Sequence, residues 1–206
     1  VPWIGETRTP LRYTGFVSEK LTGPEAPRDE IRSWLGGRPL VVASAGGNQA
    51  GDRLIAAAVQ AWQGLVGSGS INGHVLVVFR PLRSRPGETE RLRRLAGDAA
   101  VRVEDFDLRF LDWLSVAECG ITHAGYNTCM NLLETRRRAL VVPDARMSDQ
   151  PLRARRLREL GLAEVHEDPE PVTWPAAIRR ALARPRPVHD LDLDGAAATR
   201  RLLEAL

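Results

Sequence analysis

Residues 40–62 read LVVASAGGNQAGDRLIAAAVQAW, and this stretch decides the fold. Its first six residues are a compact apolar run of strand length, interrupted only by Ser44. Gly46-Gly47-Asn48-Gln49-Ala50-Gly51 then forms a glycine-rich turn. From Asp52 onward, Leu54, Ile55, Ala58, Val59 and Trp62 recur at helical spacing. Strand, tight turn and helix in that order make the first unit of a parallel α/β sheet.

The same alternation continues outward. Strands are expected at 74–79, 101–103, Cys119–Thr122 and 139–143, and helices at Glu88–Ala96, near 108–115 and at 127–135. A strongly amphipathic helix is expected at 150–160, ending at Gly161, with two more at 175–183 and 195–206. Upstream, 29–35 reads as a short helix closed by Gly36-Gly37. The run 11–17 reads as an edge strand within a linker, 1–23, that feeds a single domain, 24–206. The expected fold class is α/β: one Rossmann-like domain, a parallel sheet with helices on both faces. Right-handed crossovers gather the strand-to-helix loops on one rim, where such sheets bind ligands. Those loops are 44–51, 80–85, 104–107, 122–128 and 144–150.

Composition narrows the function classes. With 43% apolar and 27% charged residues, the chain is ordinary for a folded soluble protein. Its longest apolar runs are strand-sized, well short of the ~20 residues of a membrane span, and no signal-peptide pattern opens it. Lys20 is the only lysine among 29 basic residues, a bias read as the mark of a G+C-rich coding sequence. The arginine runs at 136–138 and 153–158 are interleaved with acids and accompanied by few aromatics, which favours a solvated face over nucleic-acid contact. Cys119 and Cys129 lack metal-ligand spacing and read as buried free thiols, in keeping with a reducing cytoplasm.

Two loops carry anion-binding chemistry. Glycines at 46, 47 and 51 let backbone N–H groups approach an oxyanion beside a helix N-terminus. Neither the P-loop nor the G-x-G-x-x-G spacing is present, and a tight turn without ligand is the plain alternative. In Ile121-Thr122-His123-Ala124-Gly125-Tyr126-Asn127-Thr128, a histidine at a strand end is followed by a helix start rich in donors. His123 can donate a ring N–H even when neutral. Arg80, just past a strand, would overhang the same crevice.

His123-x-Gly125-Tyr126-Asn127-Thr128, the apolar strand ending at Pro143, and Asp149-Gln150 together resemble the donor-binding signature of GT-B glycosyltransferases. They are similar to uridine-diphosphate-sugar transferases and to family 28, which includes the N-acetylglucosaminyltransferase of peptidoglycan synthesis and so suggests a bacterial source. The resemblance implies one half of a GT-B fold. It implies diphosphate contacts from Gly46, Gly47, Asn48, His123, Gly125, Asn127 and Thr128; Arg80, from its place after a strand, is read as a diphosphate clamp or as a plain surface arginine. Phe106 and Asp107 would lie against the base through backbone groups, and Asp149 and Gln150 would reach the sugar. Asp149 can equally serve as a helix N-cap. The ribose-binding glutamate of the signature is replaced here by Asn131.

The function so implied is inverting transfer of a hexose-type sugar from a UDP- or dTDP-linked donor, without metal or other cofactor. The general base and acceptor site would belong to a missing N-terminal domain, in the same chain or in a separate subunit, with a lipid or membrane-surface acceptor left open. The alternatives are a non-catalytic nucleotide-sugar-binding module or a split-transferase subunit. A nucleotide-sugar 2-epimerase shares the architecture but fits the His123 motif less well.

Overall fold

The computed structural model describes residues 11–46, 51–81, 84–97, 99–105, 107–168 and 170–205. The mainly apolar runs become the strands β1 Leu40–Ser44, β2 Val75–Phe79, β4 Cys119–Thr122 and β5 Arg138–Val141. The shorter β3 Val101–Glu104 and β6 Glu164–Val165 complete a six-stranded sheet. All its pairings are parallel, in the order β3-β2-β1-β4-β5-β6. That order reverses direction between β1 and β4, as in dinucleotide-binding Rossmann sheets.

Alternate residues of β1 face opposite layers, which is why its sequence has no polar alternation. Val41 and Ala43 belong to a core with α2 Gly51–Gly67, α3 Glu88–Ala96 and α7 Trp174–Ala183. Leu40 and Val42 pack with Ile31 and Leu35 of α1 Ala26–Leu35 and Trp113 of α4 Phe110–Val116. A third cluster joins α5 Tyr126–Thr135 and α6 Gln150–Glu159 to β5 and β6. Gly120 in β4 sits beneath two of these helices: a Cβ there would lie 3.0 Å from Leu132 Cδ2 and 3.2 Å from Leu114 Cδ1.

Two expectations differ from the structure. The segment 11–17 is not an edge strand. It makes one antiparallel bridge, Val17 to Asp194, with the Phe16 N–H donating to Asp192 O and the Gly195 N–H to Phe16 O, both at 2.9 Å. Its partner is the run leading into α8 Gly195–Glu204, on the far side of the sequence. Second, α6 is not strongly amphipathic: only Ala154 and Leu157 are buried, and Leu152 is exposed. One strand went unread: β6, at two residues, is too short to show any periodicity.

The N-terminal segment then runs along α5. The Tyr126 hydroxyl accepts the Val17 N–H at 2.9 Å, Ser18 Oγ donates to Met130 O at 3.4 Å, and Lys20 Nζ meets Glu134 Oε2 at 3.2 Å. These contacts fall at i, i+4 and i+8, one stripe of the helix.

Candidate functional site

Where the sheet reverses, the loops leaving β1 and β4 part, and a cleft of about 440 Å³ opens at their carboxyl ends. Ser44 and Gly46 reach it from β1, Phe79 and Arg80 from β2, and Asp107, Leu108 and Phe110 from the loop between β3 and α4. Gly125, Tyr126, Asn127, Thr128 and Asn131 form the α5 side, and Glu19 of the N-terminal segment closes one end.

Helix α5 supplies the main electrostatic feature. Its N-cap is Gly125, with extended backbone, no side-chain capping bond and no acidic residue in the first turn. The first amides of the helix therefore keep their donors, and the helix dipole adds about half a positive charge there. An anion is the natural partner for such an end. At the other wall, Arg80 pairs through Nε with Asp105 Oδ1 at 3.0 Å, and one terminal nitrogen meets the same oxygen. Asp105 is largely exposed, so Arg80 is steered but not shielded from the cleft.

Asp107 lines the cleft with its carboxylate already engaged. Oδ1 accepts the Arg109 N–H at 2.8 Å and Oδ2 accepts the Trp113 indole N–H at 3.2 Å, which ties the loop to the start of α4.

His123 stands beside the cleft, outside its lining. Its Nδ1 lies 2.7 Å from Val142 O, and a carbonyl oxygen only accepts, so Nδ1 carries the proton. Nε2 is buried without a partner among the described residues. The neutral ring therefore presents a bare acceptor at Nε2, and only the imidazolium donates there. This reverses the expectation of a neutral donor.

Asp149 and Gln150 are also outside the cleft lining. Asp149 is the N-cap of α6, but its carboxylate makes no capping bond and pairs instead with Arg153 at 2.8 Å. Gln150 Oε1 accepts the Asp144 N–H at 3.0 Å. Asp144 is itself held down to about 2, chiefly by Arg146 and in smaller part by the field of His123. Gly47, Asn48 and Phe106 lie outside the described residues.

Sequence reasoning passed over Arg153, whose guanidinium stacks 5.6 Å from the Tyr126 ring centroid and donates to Ala124 O. It braces the loop before α5, and the run of arginines around it concealed that role. Phe79, the last residue of β2, was also missed as a lining residue, whereas Ser44 falls in the expected loop 44–51. Burial pushes both cysteine thiols up to about 12, which leaves them inert. Among the described residues, no cluster of three His, Cys, Asp or Glu side chains is placed to hold a metal.

Six parallel strands in this order, with an uncapped helix start at the reversal, define a Rossmann-like domain like one half of a GT-B glycosyltransferase. The sequence pattern of the glycosyltransferase family 28 C-terminal domain matches residues 42–182, and the chain belongs to that family.

Solved structures share the fold. The glycosyltransferase VinC in complex with dTDP is 23% identical, with 83% of this chain and 39% of that one covered and a TM-score of 0.52. The spinosyn rhamnosyltransferase SpnG is 19% identical over 96% of this chain and 48% of its own, with a TM-score of 0.59. A Listeria monocytogenes structure described as a UDP-N-acetylglucosamine 2-epimerase is 18% identical over 92% and 48%, with a TM-score of 0.53. The chain thus spans less than half the length of each. Compared with curated protein sequences, it has no match.

Proposed function

We propose that this chain is the donor-binding half of a glycosyltransferase that takes a UDP- or dTDP-linked hexose and transfers it with inversion, without metal or further cofactor. The observation that carries this reading is the uncapped N-terminus of α5 opening into the cleft at the β1–β4 reversal. Departure of a nucleoside diphosphate concentrates negative charge on its phosphates, and fixed amides stabilise such charge without reorganising. Gly46, with Gly47 and Asn48, would hold the diphosphate against Gly125, Asn127 and Thr128, with Arg80 from the opposite wall. Asp107, with Phe106, would offer backbone to the base, and Asn131 would meet the ribose.

His123 then has two modes. Both require that its buried Nε2 first be uncovered: the imidazolium would then donate to a phosphate oxygen, and the neutral ring would accept a sugar hydroxyl. For Asp149 and Gln150 to touch the sugar, they must exchange their present partners, Arg153 and the Asp144 amide, for it. The general base and acceptor site belong to a second, N-terminal half, in cis or as a separate subunit. VinC is a glycosyltransferase in complex with dTDP, which supports a nucleotide-linked donor for this chain, and the compartment is cytoplasmic on this reading. No helix among the described residues is long and apolar enough to cross a membrane.

A second reading, a nucleotide-sugar-binding module without catalysis, is favoured by Asn131 on the ribose side of the cleft. A thermal-shift screen against UDP, dTDP, GDP and ADP tests donor binding. A ligand at 100 times its dissociation constant stabilises by about 2.7 kcal/mol, which in a chain of this size raises Tm by about 5–11 °C. If none of the four shifts the transition, donor binding is refuted. Transfer of labelled sugar by the longer protein, compared with its hydrolysis, then separates the two readings.

A further inference from the structure

The opposite rim of the sheet carries a second cleft, of about 490 Å³. It lies where the strands begin, between the ends of α1 and α4, and Leu40, the first residue of β1, forms part of its floor. Four residue steps of β1 separate Leu40 from Ser44 in the first cleft, about 13 Å at strand spacing.

Four arginines line this cleft: Arg32, Arg38, Arg137 and Arg186. Their only carboxylate neighbour in the lining, Glu118, is already bound by Arg138 at 2.8 Å and by His74 at 3.3 Å. Arg32 is matched by Asp29 and Glu25. The other three have no carboxylate partner among the described residues. Arg38 donates to the carbonyls of Leu35 and Trp34 and stacks on the Trp34 ring, which fixes its direction without cancelling its charge.

Arg137 is the decisive group. It is half-buried, and its Nε is cut off from solvent with no hydrogen-bond partner among the described residues. Its neighbours in the Arg136–Arg138 run show how the fold sorts three like residues. Arg136 takes the left-handed position that closes α5, with φ 51°, and Arg138 turns to Glu118 and Arg184 O. Arg137 is left facing cations. Burial first, then the charges of Arg186 and Arg32, push its guanidinium below its ordinary value. A desolvated donor that meets repulsion is costly, and a bound anion relieves both costs.

We propose that this cleft is an oxyanion site, in which Arg137, Arg186 and Arg38 converge on a phosphate group independent of the nucleotide cleft. The phosphate is either free or the headgroup of an anionic lipid, since the planar guanidinium fork recognises both alike.

The test uses the whole chain in phosphate-free buffer, with inorganic phosphate and phosphatidylglycerol vesicles as separate probes. On phosphate titration, the Arg137 Nε–H resonance should shift, assigned by its disappearance in Arg137→Gln. The double variant Arg137→Gln/Arg186→Gln should bind the effective probe at least tenfold more weakly. A phosphate response without vesicle co-sedimentation identifies a free anion, and co-sedimentation lost in the double variant identifies a headgroup. If neither probe binds, or the double variant binds as the wild type does, the proposal is overturned. Without ligand, Arg137→Gln should melt no lower than wild type, because it removes repulsion. A fall of several degrees would make Arg137 a structural support and overturn the assignment.

Discussion

Gly51→Ala should loosen the loops beside the cleft proposed to hold the nucleotide. Gly51 opens α2 where the chain returns from the β1 loop, and a Cβ there would lie 2.5 Å from Ala45 Cβ, 2.8 Å from Pro81 Cγ and 3.3 Å from Ala45 O. Carbon atoms normally rest about 3.5–4.0 Å apart, so the start of α2 must retreat by about 1 Å. Neither obstacle can swing aside, since Ala45 has no rotamer and Pro81 is a ring. Overpacking of this kind costs about 1–3 kcal/mol. A middle value of ~2 kcal/mol lowers Tm by about 4–8 °C in a chain of this size. Gly64→Ala, on the same helix, is the control. No side chain and no other element comes within 4 Å of its added Cβ, chain neighbours aside; the residue is exposed, and the methyl should stabilise by about 0.4–1 kcal/mol. Differential scanning calorimetry of the two variants reads the contrast directly. Should Gly51→Ala melt with or above Gly64→Ala, the close approach of α2 to the β1 and β2 loops is wrong.

Asn131→Glu adds a carboxylate to the cleft lining, where the ribose of the proposed donor would sit. The charge-assisted bonds are worth about 1–2 kcal/mol, so UDP or dTDP affinity by calorimetry should tighten about 5–30-fold. Acid should destabilise the chain in a defined window. Glu25 is held down to about 2 by Arg28 and then Arg32, and Asp144 to about 2 chiefly by Arg146. Depressed carboxylates stabilise fully above their ordinary values of 4.5 and 3.8, and that share fades as pH falls toward 2. Tm measured across that range should drop, and Arg146→Ala should flatten the lower part of the curve; an unchanged curve contradicts the Asp144 pairing. Ellman's reagent should find no reactive thiol in the native chain and two in denaturant, since Cys119 and Cys129 are both buried.

Much of the architecture could be read from residue order because burial on both faces writes itself into the strands. Leu40–Ser44 and Val75–Phe79 have no polar residue until their ends, and α3 begins and stops at the expected residues, Glu88 and Ala96. The misreadings share a non-local cause. In 11–17, apolar residues look like strand residues, yet the segment's pairing lies near residue 194, and Tyr13 is left exposed. The motif at 123–128 was visible because its donors are contiguous. The direction of the His123 proton was not, because Val142 sets it from another strand's end. Asp149 and Gln150 were identified by type and spacing, which carry no information about their competing partners Arg153 and the Asp144 amide.

The stripe on α5 has a mechanical corollary. The helix whose first turn borders the cleft is lashed at Tyr126, Met130 and Glu134 to the chain arriving from residue 17 onward. Tyr126 belongs to both, its ring bordering the cleft and its hydroxyl gripping the tether. A guest that tilts that ring must strain the tether, and by reciprocity a pull on the tether alters the guest's hold. One helix thus acts as a lever, able to report occupancy at residues that never touch the ligand.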